Sequence, residues 1–167
     1  KLRMLKSPLA WMPRKRWAME LVRMRFFSSR KPRMVMARDT SPMKLLLDTH
    51  CLIWALADSP ALTPAGRKAI VAAEEVWFSE ASVWETGLKW RRGRLGIAPR
   101  RLVDQALKDG FRMLSIGLEP ILLSCELRQT HADPFDRLLY AQARHHGYAL
   151  LTIDRKLRAF GARIHRP

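Results

Sequence analysis

The chain has 167 residues, 48% of them hydrophobic, which suits one domain with a real core plus an extension. No stretch approaches the roughly 18 apolar residues of a membrane helix, and Cys51 and Cys125 form neither a ligand pair nor a disulfide framework, as expected of reduced thiols in a cytoplasmic protein with no membrane partner. The formal charge of +16 favours a polyanionic partner such as nucleic acid. It is unevenly spread. Residues 1–42 hold 12 Lys/Arg against two acids, and residues 43–167 hold 19 against 13, so both parts are basic.

Residues 1–42 differ in kind from the rest. They hold six of the eight Met residues, many Arg, and Pro at 8, 13, 32 and 42, with no sustained helical or strand period. Charges interrupt every apolar run, which excludes a secretory signal. An arm that binds RNA and a transit peptide both fit an Arg-rich segment. The plainest expectation is a disordered basic extension, or a mis-assigned start, with the functional domain at 43–167.

Met43 to Asp48 is a short apolar run that ends in a carboxylate. Its length and flanks suit a strand buried on both faces of a parallel sheet. Cys51 to Ala57 reads as a short buried helix broken by Asp58-Ser59-Pro60. Thr63-Pro64 gives an N-cap followed by Pro at the first helical position of a helix reaching Glu74. Val76 to Phe78 is a second strand, and Ser79 and Ser82 offer caps for a helix to Arg92, stopped by Gly93. Pro99 starts a helix through Asp109, closed by Gly110. Met113 to Ile116 is a third strand, and Glu119 to Gln129 a further helix. After a loop at His131 to Asp133, Pro134 opens a helix that ends at Gly147. Tyr148 to Ile153 is a strong strand ending at Asp154. A short helix, Arg155 to Phe160, and a last strand, Ala162 to His165, complete the chain. Strands alternating with helices imply an α/β fold with a parallel sheet covered on both faces.

Four acids then share a kind of position. Asp48 and Asp154 end strands; Glu85 and Asp136 lie in the first turns of helices. In a parallel sheet the strand C-termini and the following helix N-termini share one edge, where ligands bind. Each acid also has a plain structural role. Ser82-Val83-Trp84-Glu85 matches a capping box. Asp133-Pro134-Phe135-Asp136 fits a cap, a Pro and an acid favoured by the helix dipole. Asp48 and Asp154 fit caps of the helices they precede. Taken together the four point elsewhere. Two unit charges 4 Å apart repel by about 4 kcal/mol at an effective dielectric near 20, so a cluster requires proton uptake or a cation. All-oxygen ligands suit Mg²⁺, with Mn²⁺ as a substitute. A basic protein with an acidic, metal-holding edge suits a phosphodiester substrate.

Residues 43–167 resemble a PIN-domain ribonuclease of the VapC type, found as the toxin in bacterial toxin–antitoxin pairs. The stretches that carry the resemblance are Leu45-Leu46-Leu47-Asp48-Thr49-His50, Ser79 to Glu85 with Lys89, His131 to Leu139 continued by Ala141-Gln142-Ala143, and Leu151-Thr152-Ile153-Asp154. The resemblance implies a three-layer α/β/α, PIN-like and Rossmann-like fold and a Mg²⁺-dependent endoribonuclease. It implies that Asp48, Glu85, Asp136 and Asp154 are both the catalytic and the metal-binding set, with Asp48 and Asp136 central. Glu85 and Asp154 would bind metal directly or through water and help activate the nucleophile. Asp133 is either an outer acid or only a helix cap. Thr49 and Thr152 would orient waters or carboxylates. Lys89, Arg91, Arg92 and Arg94 would hold RNA phosphates, or form a solvated helix face. The substrate implied is a structured RNA, tRNA or rRNA, cut to 5′-phosphate and 3′-hydroxyl ends. The partners implied are a cognate antitoxin filling the basic cleft, with an Arg among the acids, and a second copy in a homodimer.

His50, His131, His145 and His146 lack further nitrogen or sulfur ligands at useful spacing and are left out of the site. A haloacid-dehalogenase-type phosphatase also opens with a strand ending in Asp, but needs a second acid where this chain has His50. The main alternative is a non-catalytic basic module that binds RNA or a partner and uses its acids only as caps.

Overall fold

The computed structural model describes residues 43–127, 133–157 and 164–165. The extension 1–42, the stretch containing His131, and the segment expected to finish the short helix and begin the last strand lie outside the described residues.

Leu45, Leu46 and Leu47 of strand β1 (Lys44–Leu47) are completely buried. Side chains alternate across a strand, and the two faces go to separate cores. Leu45 and Leu47 pack with Cys51, Leu52, Ala55 and Leu56 of helix α1 (Thr49–Leu56), Ile70 of α2 (Pro64–Ala72), and Leu102 and Ala106 of α4 (Pro99–Lys108). Leu46 packs with Leu139, Tyr140 and Ala143 of α6 (Pro134–His146) and Ala81 of α3 (Glu80–Arg91). Helix α5 (Leu118–Glu126) lies beside α6. These layers make the expected α/β/α sandwich.

The sheet runs β3 (Arg112–Leu114), β2 (Glu75–Ser79), β1, β4 (Ala149–Leu151), β5 (Ile164–His165), and every pairing is parallel. Leu47 is level with Phe78 on one side and Leu151 on the other. Asp48 and Thr152 therefore leave the sheet side by side, level with Ser79 at the end of β2. The strand order reverses between β1 and β4, and such a switch point opens a crevice at the carboxyl edge.

Local chemistry sets most element ends. Thr63 caps α2, accepting from the Gly66 amide at 3.2 Å, with Pro64 at the first helical position. Gly147 ends α6 at φ +68°, a left-handed conformation that costs a residue with a Cβ about 1–2 kcal/mol.

Four expectations need correction. The fourth strand stops at Leu151 rather than Ile153, because the Ile153 amide turns out of the sheet to donate to Asp48. Asp154 thus follows the strand by a short loop instead of ending it. The fifth helix ends at Glu126, since Leu127 adopts ψ 116° and leaves helical geometry. Ser79 alone caps α3, its Oγ accepting from the Ala81 amide at 2.9 Å. Ser82 is inside the helix, so Ser82 and Glu85 form no capping box.

Candidate active site

Asp48 lies at the β1–β4 switch point. Its backbone amide continues the ladder, donating to the Leu151 carbonyl at 3.0 Å. Its side chain is only 3% exposed and caps α1 by accepting from the Cys51 amide at 2.7 Å. The other carboxylate oxygen accepts from the Ile153 amide at 3.2 Å. Asp48 is therefore a cap, as its plain reading held, and also the clasp that joins β1 to the loop after β4. Burial and the Asp48 charge push the nearby Cys51 thiol far up, leaving it protonated.

Glu85 sits on the buried face of α3, 6% exposed. Thr49, next to Asp48, donates its hydroxyl to Glu85 Oε2 at 2.5 Å. Lys89, one turn on, holds Glu85 Oε1 at 2.6 Å. The expected orienting role of Thr49 thus falls on Glu85, and through this bond Glu85 reaches the residue beside Asp48. Lys89 is thus a counter-ion of Glu85 within the chain. The neighbouring Arg91, Arg92 and Arg94 are exposed.

Asp154 is held in its loop at both ends. Its amide donates to Thr152 Oγ1 at 3.0 Å, and its carboxylate accepts from the Lys156 amide at 2.7 Å. Because Ile153 donates to Asp48, this loop lies directly against the switch point. Asp136 occupies the first turn of α6, behind Asp133, which caps the helix by accepting from the Phe135 amide at 2.9 Å. Phe135 meets Trp84 of α3 edge to face, with ring centroids 5.2 Å apart. The second turn of α3, which carries Glu85, and the first turn of α6, which carries Asp136, are thereby side by side. His50 lies tilted against Trp54 with ring centroids 6.1 Å apart, and His145 meets His146 edge to face at 4.8 Å.

The donor set is all oxygen, which suits a hard divalent cation. Asp48 and Glu85 already accept two hydrogen bonds or ion contacts each, and a carboxylate has about four lone-pair sites, so both retain capacity for a cation. Among the described residues, however, no three Asp, Glu, His or Cys side chains converge as a ready cage. The expected electrostatic crisis is eased by the protein itself, with backbone amides at Asp48 and an ammonium at Glu85.

One buried unit was not singled out as functional from the sequence. Ser79 Oγ, which caps α3, donates to Gln142 Oε1 on α6 at 2.6 Å, and Gln142 Nε2 donates to the Ser115 carbonyl after β3 at 3.1 Å. A single amide thus ties the acid-bearing helices α3 and α6 to the sheet edge. The sequence signal was a polar residue on the apolar face Leu139, Ala143. Among the described residues, the side-chain hydroxyls of Ser82 and Thr86, fully buried on either side of Glu85, have no hydrogen-bond partner.

The PIN domain family model matches residues 45–162. The chain is 32% identical over 119 residues to Ribonuclease VapC22 of Mycobacterium tuberculosis, covering 69% of this chain and 90% of that protein. Among solved structures, VapBC2 from Rickettsia felis bound to a DNA fragment from its promoter aligns with a TM-score of 0.57 at 12% identity, over 74% of this chain and 98% of that one. Mycobacterium tuberculosis VapC20, described as a Sarcin-Ricin loop cleaving toxin, aligns with a TM-score of 0.53 at 15% identity, over 72% and 98% of the two chains. A parallel sheet whose switch point is clasped by Asp48, and a family match across nearly all of the described residues, lead to one conclusion: the chain belongs to the PIN-domain family and is of the VapC type.

Proposed function

We propose that the protein is an endoribonuclease that hydrolyses RNA phosphodiester bonds with Mg²⁺, or Mn²⁺ in its place, and acts as the toxin of a toxin–antitoxin pair. The observation that carries this reading is the linked pair at the switch point: Asp48 fixed by two backbone amides, and Glu85 bonded to Thr49 beside it. A wholly structural cap has no need of a second buried acid tied to its neighbour. The likeness to Ribonuclease VapC22 supports the same reaction class.

Asp48, Glu85, Asp136 and Asp154 are the residues that would hold the metal, and Asp48 and Asp136 are the central pair. When bound, the cation supplies charge stabilisation at the phosphoryl oxygens and a more acidic water. The chain's own residues set the rest. Asp48 is held rigid by the Cys51 and Ile153 amides. Thr49 and Lys89 hold the Glu85 carboxylate in place, so that it can take a proton from the attacking water. Arg91, Arg92 and Arg94 attract the RNA backbone. In-line attack by water leaves a 5′-phosphate and a 3′-hydroxyl. The substrate class is tRNA or rRNA, and the natural partners are a cognate antitoxin and a second copy of the chain. The toxin–antitoxin complex from Rickettsia felis supports the antitoxin assignment.

The test is cleavage of tRNA and rRNA with and without Mg²⁺, in wild type, Asp48→Asn and Asp136→Asn. Loss of at least a hundred-fold in rate is expected for both variants and on chelation, on the order of what one electrostatic catalytic group contributes. One observation favours a second reading, a non-catalytic binding module: the acids of the described residues do not form a ready cage. Such a module would bind RNA equally well as Asp48→Asn and never cut it, and Asn variants that cut as fast as wild type would sink the nuclease reading.

A further inference from the structure

Trp84 directly precedes Glu85, and Phe135 directly precedes Asp136. The two rings meet at 75°, yet Trp84 remains 59% exposed. An edge-to-face contact braces an indole without covering it, so most of this ring faces water beside the acids. Exposing that much indole forgoes apolar burial, and the exposure calls for an occupant. The same helix ends at Arg91 and is followed by Arg92 and Arg94, exposed cations that attract polyanions. A polyanion that also carries flat π systems is a nucleic acid, and aromatic side chains bind unpaired bases by stacking.

We infer that Trp84, braced by Phe135, is a base-stacking residue: an unpaired base of the RNA stacks on its indole and sets the adjoining phosphate at the acid edge. This rests on the ribonuclease reading for its ligand, but not for its outcome. A paired base is already stacked in its helix and offers no free face, so Trp84 discriminates single strands from duplex.

The experiment uses the full chain in the Asp48→Asn background, which holds RNA without cutting it. Fluorescence anisotropy is read with a labelled single-stranded RNA and with the same RNA in a duplex. Trp84→Ala is expected to weaken single-strand binding on the order of ten-fold or more, with duplex binding unchanged. Trp84→Phe keeps a ring and retains most of the affinity, whereas Trp84→Leu, with apolar area but no ring, does not. Trp90→Ala is the control. Trp90 is 47% exposed on the same helix, but six residues on points it to another side, and its loss leaves binding intact. Equal single-strand affinity in Trp84→Ala overturns the inference, as does an equal loss for strand and duplex. So does a shift from dimer to monomer in sedimentation with RNA affinity unchanged, which would assign the ring to a second copy. If wild type fails to cut RNA while Trp84→Ala loses single-strand binding, the stacking role stands and the nuclease reading falls. If wild type cuts and Trp84→Ala binds normally, only the stacking role falls.

Discussion

At the scale of single residues, the chain handles buried charge by giving each carboxylate a specific donor. Glu85 is the clearest case, held by one hydroxyl and one ammonium. Thr49→Val keeps the shape of the side chain and removes its bond to a buried charge. Such bonds are worth about 2 kcal/mol. Urea denaturation is expected to show a loss of that size, and RNA cleavage to fall with it. The two thiols also separate at this scale. Cys125 is exposed, whereas Cys51 is buried and its thiol is pushed up by burial and by Asp48. A thiol reagent is therefore expected to label Cys125 quickly in the folded protein and Cys51 only after unfolding. Rapid labelling of both would mean that the switch point opens readily. The sequence pointed to Asp48, Glu85, Asp136 and Asp154 through their places at strand ends and in the early turns of helices, but not to their partners. The Glu85–Thr49 contact spans 36 positions, and no local pattern encodes a bond of that reach.

Elements are held in relation by polar side chains as much as by apolar packing. The Ser79–Gln142–Ser115 chain joins α3, α6 and the end of β3. Since Ser79 Oγ accepts from the Ala81 amide, its proton is free to point at Gln142, and this fixes the amide orientation. Gln142→Met fills similar volume but leaves the Ser115 carbonyl without this donor and Ser79 without its acceptor. Thermal or chemical unfolding is expected to show a loss of about 1–3 kcal/mol. The turnover number is expected to fall more than RNA affinity, because the variant moves Asp136 relative to Glu85 and leaves the exposed Arg residues alone. An unchanged turnover number would reduce Gln142 to a packing residue. Element types were largely legible from sequence, since Thr63-Pro64, Pro99, Pro134, Gly93 and Gly147 punctuate the chain by local chemistry. The end of β4 was not. Nothing local marks Thr152 and Ile153 as non-strand, and the competing acceptor, Asp48, lies 105 positions away.

For the whole molecule, the carboxyl edge of the sheet carries the candidate site and the opposite edge carries a cationic and aromatic row. There Glu75 pairs with Lys44 at 3.1 Å and Arg112 at 2.6 Å, and Trp77, Tyr148 and His146 stack in sequence. This row makes stability depend on acid. Loss of hydration around the ring, then the charge of His145, lowers the His146 pKa below its ordinary 6.5. The unfolded chain therefore takes up that proton first, and the contribution of His146, complete above 6.5, is lost as pH falls through its folded value. Burial opposes ionisation of Glu75, but hydrogen bonds from Lys44 and Trp77 and the charges of Arg112 and Lys44 outweigh it. Its pKa lies below the ordinary 4.5. Its contribution, present above 4.5, is lost at lower pH still. Urea midpoints are expected to decline in two stages on acidification, the first beginning near pH 6.5 and absent in His146→Gln. Among the described residues no helix is long and apolar enough to cross a membrane.

Residue order alone specifies the alternation of strands and helices, the parallel sheet, the basic charge and where the acids fall along the chain. These follow from period, punctuation and composition, which act over a few residues. That β1 and β4 are neighbours with the winding reversed between them, that Asp48 clasps that gap, and that Lys89 pairs with Glu85 emerges from the folded arrangement alone. Strand order and side-chain partnership arise from packing both faces of the sheet at once. The free energy of that packing is shared among residues far apart in the chain, so no segment carries it alone.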